Sequence, residues 1–127
     1  MADIKISNVD ALGKPVGPYS HLARVRSSET LYIAGMLSPG ETFDAQCAAV
    51  YKQIEQALQS AGAGWKNVAQ FTTFLVHSQD IAKFYRWREQ NYPKMFPDGK
   101  YPPNTLLIID RLVQEQFLIE IQTVAVV

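Results

Sequence analysis

Tyr101-Pro-Pro-Asn-Thr-Leu-Leu-Ile-Ile-Asp110, followed after a polar break by Phe117-Leu-Ile-Glu-Ile-Gln-Thr-Val-Ala-Val-Val127, contains two strand-like segments rich in β-branched residues. Leu107, Ile109, Ile119 and Ile121 alternate with Leu106, Ile108, Leu118 and Val124, so these strands are apolar on both faces. The second strand carries one carboxylate, Glu120, in an otherwise apolar run. A carboxylate in such a place is exposed, paired, or kept for chemistry, because burying it unpaired is costly.

Working back from this tail, the chain divides into short alternating elements. Gly13 to Pro18 is loop-like, Tyr19 to Arg26 and Leu31 to Met36 are expected strands, and Ser27 to Thr30 is the turn between them. Residues 43 to 61 give the clearest helix, with Cys47, Val50, Tyr51, Ile54, Leu58 and Ala61 on one face. Thr42 or Asp44 can cap its start, and Gly62 suits the left-handed stop beyond its end. Val68 to Val76 is the next strand. Ser78 or Asp80 can cap a second helix with Ile81, Phe84, Tyr85 and Arg88 on one side, which Pro93 ends within a residue or two. If residues 104–110 and 117–126 pair as a hairpin, Asn104 and Leu106 share one face, and Leu118 and Glu120 share a face of the next strand.

The expected fold class is α+β, a mixed sheet with two helices on one face, in a single domain over residues 1–127. Two helices cover one face only. The apolar character of the other points to a further subunit.

Twelve basic residues balance twelve acidic ones. Nucleic-acid binding normally needs a basic surface, so no nucleic-acid partner is expected; Arg24 and Arg26 share one strand face but read as a solvated side. No apolar run is long enough for a membrane span. The opening Met-Ala-Asp-Ile-Lys-Ile-Ser lacks a basic stretch followed by an apolar one, and Cys47 is the single cysteine, so a cytoplasmic location is expected. His21 and His77 sit in neither a metal-ligand spacing nor a triad, so no metal is expected. Cys47 belongs to the buried helix face, and Arg86 and Arg88 are assigned to the surface, with a cation supplied to a substrate from the second helix as the alternative.

Gly17-Pro-Tyr-Ser20, Leu31-Tyr-Ile-Ala-Gly35, Gln46 opening a helix that ends in Ala61-Gly-Ala-Gly64, Asn67-Val68, Pro102-Pro-Asn-Thr105 and Ile119-Glu-Ile121 follow one another in order. From Gly17 onward this resembles the Rid/YjgF family of reactive-intermediate deaminases. The resemblance implies a chorismate-mutase-like fold and a homotrimer whose sheets form a central barrel, with a small-molecule cleft at each subunit interface. It also implies hydrolysis of enamines and imines, above all 2-imino acids, without metal or organic cofactor. Carried over by position, the family's tyrosine is Tyr19, its glutamate Glu120, and the glycine after the second strand Gly35. Ala34 stands at the serine, Tyr85 at the helix asparagine, Leu106 at the cysteine, and Asn104 at the arginine that grips the substrate carboxylate.

Asn104 decides the expected chemistry. A guanidinium binds carboxylate through two charge-assisted bonds that an amide cannot reproduce, a loss of about 1.5–3 kcal/mol. An arginine-lacking cleft therefore suits a small enamine, imine or amide-like metabolite without a required carboxylate. Glu120 would position water, Tyr19 and Asn104 would orient the substrate, and Ala34, Gly35, Tyr85 and Leu106 would line the site. Two functional readings stay open on sequence alone: a hydrolase acting on C–N bonds, or a non-catalytic small-molecule-binding or protein-interaction module on the same scaffold.

Overall fold

The computed structural model describes residues 2–127. In chain order its strands and helices are β1 (Asp3–Ser7), β2 (Leu22–Arg26), β3 (Thr30–Met36), α1 (Phe43–Ser60), β4 (Val68–Leu75), α2 (Asp80–Met95), β5 (Asn104–Ile108) and β6 (Ile119–Val126). A four-stranded mixed sheet runs in the order β3-β6-β4-β5, and β1 and β2 form a separate antiparallel ribbon. Strand β1 is not among the expected strands; of the five that are, four form this sheet and β2 pairs with β1 instead. The alternation in Asp3-Ile-Lys-Ile-Ser7 is its signature, with Ile4 and Ile6 half-buried between exposed neighbours.

Helix α1 begins where expected, with the Thr42 hydroxyl accepting from the Ala45 amide at 3.1 Å. It stops at Ser60 because Gly62 takes φ +72, a left-handed turn in which the Ala63 amide closes onto Leu58. Its buried face, including Val50, Ile54 and Leu58, packs against Ile119, Ile121 and Ala125 of β6. Helix α2 starts at Asp80 without a side-chain cap, so neither Ser78 nor Asp80 plays the expected capping role. It runs through Pro93 and ends two residues later, at Met95.

The tail strands do not form a hairpin. β5 pairs in parallel with β4 at the sheet edge, in the register Phe71↔Asn104, Thr73↔Leu106 and Leu75↔Ile108. β6 inserts between β3 and β4, antiparallel to both, with Glu120 opposite Phe74 and Ile121 opposite Thr73. A parallel pair needs a crossover connection, and α2 with its following loop supplies it. Both helices lie over the face that carries Phe71, Thr73, Ile119 and Ile121, leaving the opposite face open. That face exposes Tyr32 and Leu107, while Phe74 and Val124 on it are half-buried. Among the described residues no helix is long and apolar enough to cross a membrane.

Candidate functional site

The sequence-predicted site residues fall into two groups, and the sheet register decides which. Side chains of paired strand residues point to the same face, and neighbours along a strand point to opposite faces. Asn104 and Leu106 pair with Phe71 and Thr73, both buried on the helix side. Glu120 pairs with Phe74, which faces the other way. Within one chain, the amide and the acid therefore lie on opposite sides of the sheet.

On the helix side, Asn104 and Leu106 of β5, Ile81, Tyr85 and Arg88 of α2, and Tyr19 from the loop before β2 enclose a cavity of about 430 Å³. The edge position of β5 opens it to solvent, and α2 forms its wall through residues spaced four and three apart. Asn104 is oriented by Thr73, whose buried hydroxyl donates to Oδ1 at 2.8 Å. The NH2 end of the amide is thereby left to donate elsewhere. The Tyr19 phenol oxygen accepts from the Val16 amide at 3.4 Å, which leaves its own proton for a ligand. Gly17 lets the loop lie against α2, since a β-carbon there would stand 3.1 Å from Tyr85 Cε2.

On the open face, Glu120 lies across β3 at Gly35. A β-carbon on Gly35 would stand 2.6 Å from the Glu120 carboxyl carbon, closer than real contacts allow. Ala34 is exposed beside it. A register shift between Ile33 and Met36 interrupts the β3–β6 ladder here and re-aims the backbone. Ala34, Gly35 and Glu120 form this second group.

Arg88 corrects the sequence reading. Assigned to the surface by residue type, it is only 5% exposed, and it lines the cavity beside Asn104. Its guanidinium carbon lies 4.0 Å from the centre of the Phe84 ring and 6.0 Å from that of Tyr85. Its Nε and Nη1 are buried without a hydrogen-bond partner. Among the described residues the ion pairs are Lys83–Asp80 and Arg111–Glu115, neither of which uses Arg88. The cleft therefore has a guanidinium after all, supplied by a helix instead of the strand. The sequence signal was present, because Ile81, Tyr85 and Arg88 fall on one helical stripe.

Residues 10–127 match the family described as Endoribonuclease L-PSP. The chain belongs to the Rid/YjgF family. Among its relatives is a RutC-family protein of Synechocystis sp., slr0709, 29% identical over 132 residues that cover 97% of this chain and 96% of the relative. The crystal structure of YyfB from Yersinia pestis, a Rid-family protein of unknown function, superposes with a TM-score of 0.84 at 24% identity, covering 98% of both chains. TdcF of E. coli, solved with bound serine, gives a TM-score of 0.70 at 16% identity over 87% of this chain and 93% of that one. At these identities the structural likenesses speak for the YjgF/RidA fold alone.

Other polar residues of this Rid protein serve the scaffold. His21 accepts from the Val9 amide at Nδ1 and its own amide donates to Asn8, tying the N-terminal segment to β2. Cys47 is fully buried, and burial pushes its thiol well above the usual range. Tyr92 and Tyr101 belong to the aromatic core around Phe96, and Trp87 stacks on Tyr51 with ring centres 4.5 Å apart. Tyr85 of α2, by contrast, lines the cavity. Gln46 is 1% exposed and bridges three backbone groups, a role its place at a helix start did not disclose.

Proposed function

We propose that this protein hydrolyses a small enamine or imine to a carbonyl compound and ammonia, in a cleft that two copies of the chain complete together. The observation that supports this most is the division of the site. One face presents a donor-lined cavity whose lining has no acid, and the other presents Glu120 over Gly35. A second copy whose open face meets the first copy's cavity would bring both halves to one ligand. The exposed Tyr32 and Leu107 on the open face favour its burial in such an assembly.

In the assembled cleft the carboxylate of Glu120 takes a proton from water as the oxygen bonds to the C=N carbon, and returns it to nitrogen to give the carbinolamine. The same carboxylate then takes the hydroxyl proton and delivers it to nitrogen as the C=O bond forms, the C–N bond breaks and ammonia leaves. Tyr19 and the Asn104 amide orient the substrate by hydrogen bonds. No metal is required by this sequence of steps, and each proton is accounted for by water and one carboxyl group.

Refolded mixtures test both parts. Imines generated in situ by an amino-acid oxidase are supplied to wild type, Glu120→Gln, Asn104→Leu, and an equimolar co-refolded mixture of the two variants. Each variant alone should lose activity, by about 10²–10⁴-fold for Glu120→Gln. The mixture should recover part of it, because some clefts then join an intact Glu120 to an intact Asn104. A mixture as inactive as its components would place both groups' function within one chain, against the proposal. Wild type that binds ligands yet turns over no imine would favour the binding-module reading.

A further inference from the structure

A second cavity lies at the other end of α2, away from Asn104. About 350 Å³ in volume, it opens between β1, the turn before β4 and the segment that follows α2. It shares no lining residue with the cavity around Asn104. The β1–β2 ribbon has no ladder with the four-stranded sheet, so the half-buried Ile4 and Ile6 face a gap that no side chain fills. Val68 and Phe96 are buried in its lining, and the ring of Trp65 stands beside Phe96 at a tilt of 59°. Trp65 is held in place, because its Nε1–H donates to Glu55 at 3.1 Å. Small-molecule cavities measure about 300–1,000 Å³ and combine an apolar, aromatic lining with a few polar groups. This one has that composition.

Its rim is net positive. Lys66, Lys100 and Asp98 stand there, all exposed. Asp98 is engaged by its own turn: Gly99 takes φ +71, and Asp98 Oδ1 accepts from the Lys100 amide at 2.9 Å. No carboxylate among the described residues lies within ion-pair distance of either ammonium.

We infer that this second cavity binds a small aromatic anion, with its ring against Trp65 and Phe96 and its charge beside Lys66 and Lys100. The inference does not depend on the hydrolase reading. Two fixed rings offer a face and an edge to a third, in the offset and T-shaped arrangements that aromatic groups prefer. An ammonium is a point charge on a flexible stem, so a pair of them accepts a compact anion without a fixed fork geometry. Because the rim is exposed, charge contributes modestly there. Burial of the ring carries most of the affinity, and the lysines select the anion.

Naphthalene-2-sulfonate and naphthalene-2-sulfonamide share a ring system and differ in charge. Titrated into wild-type protein and followed by NMR, both should shift the Trp65 indole N–H and Met95 methyl signals. The sulfonate should bind about three- to thirtyfold more tightly, a preference that fades in about 1 M salt. Lys66→Gln combined with Lys100→Gln, both at exposed sites, should bring the two affinities to within about twofold of each other. Equal affinity in wild type, or a preference that survives the double substitution, would overturn the inference. So would movement of Tyr85 and Leu106 signals in place of Trp65 and Met95, since the probes would then occupy the other cavity. Shifts at Trp65 and Met95 on raising protein concentration without a probe would assign this surface to a second copy of the chain, against the inference.

Discussion

Glu120 occupies the space that a side chain at Gly35 would need: a β-carbon on Gly35 would stand 2.6 Å from the Glu120 Cδ and 2.9 Å from its Cγ. Glycine at this point of β3 is therefore a condition for the acid's position. Gly35→Ala must push the carboxylate aside, since the nearest atoms belong to the movable side chain. Displacing a reacting group by about 1 Å costs about 10²-fold in rate. Stability should change by no more than about 1 kcal/mol, because Glu120 is half-exposed and free to swing. Imine hydrolysis and urea unfolding on the same variant check this, and full activity in Gly35→Ala would show that the acid's placement over the glycine is incidental.

The Thr73–Asn104 bond links the core to the cavity. Thr73 is fully buried, and its hydroxyl fixes which end of the amide faces the ligand. Thr73→Val keeps the shape and removes the donor, leaving Asn104 Oδ1 without its partner at a cost of about 1–3 kcal/mol. The amide is then free to turn its oxygen into the cavity, where an anion would meet an acceptor. Carboxylate binding should weaken more than binding of its neutral amide, which competition titrations would measure. An equal loss for both would mean that Thr73 serves packing alone.

These two relationships also show what could be read from the chain. Helix α1 was legible from its apolar stripe, Thr42 and Gly62, because a 3.6-residue period and its end signals are local properties. Placement of the tail strands was not. Asn104–Ile108 and Ile119–Val126 look alike as segments, yet one pairs in parallel at an edge and the other fills the gap between β3 and β4. Pairing partners depend on the crossover through α2, which no residue of either strand encodes. The separation of Asn104 from Glu120 follows from that pairing and was hidden with it. Arg88 was misread for a different reason: charge type sets a surface prior, and the stripe shared with Ile81 and Tyr85 was the better guide. Strand β1 was missed because five residues of alternation give a weak signal.

Gln46 holds the approach to Glu120. Its Nε2 donates to the Gly40 and Gln116 carbonyls at 3.0 and 2.9 Å, and its Oε1 accepts from the Leu118 amide at 2.8 Å. Leu118 directly precedes β6, so α1 is tied to the strand two residues before the acid. Gln46→Leu would strand three backbone groups in a site 1% exposed, at about 2–4 kcal/mol in total. Amide exchange should quicken at Leu118 and Ile119 while the centre of α1 stays protected. Uniform loosening of both would show that Gln46 stabilises the fold without specific control of β6.

Tyr51 and Tyr92 set an alkaline limit on stability. Their hydroxyls share a hydrogen bond of 2.8 Å in the core, and burial pushes both phenols above their ordinary value of 10.0. Cys47, raised by burial above its ordinary value of 9.0, adds to the same trend. When the folded value exceeds the unfolded one, the unfolded chain releases the proton first, so the folded state binds more protons and stability falls with rising pH. These groups thus contribute in full below about pH 9, and their contribution declines as pH climbs past the unfolded values, by up to about 1.4 kcal/mol per group per pH unit. Tyr92→Phe should cost about 1–3 kcal/mol at neutral pH, through the unpaired Tyr51 hydroxyl, and should flatten the alkaline slope by about one proton. Urea unfolding followed from about pH 8 to pH 11 reads both effects, and a wild-type profile that stays level across that range would mean that the buried phenols ionise as freely in the folded chain as outside it.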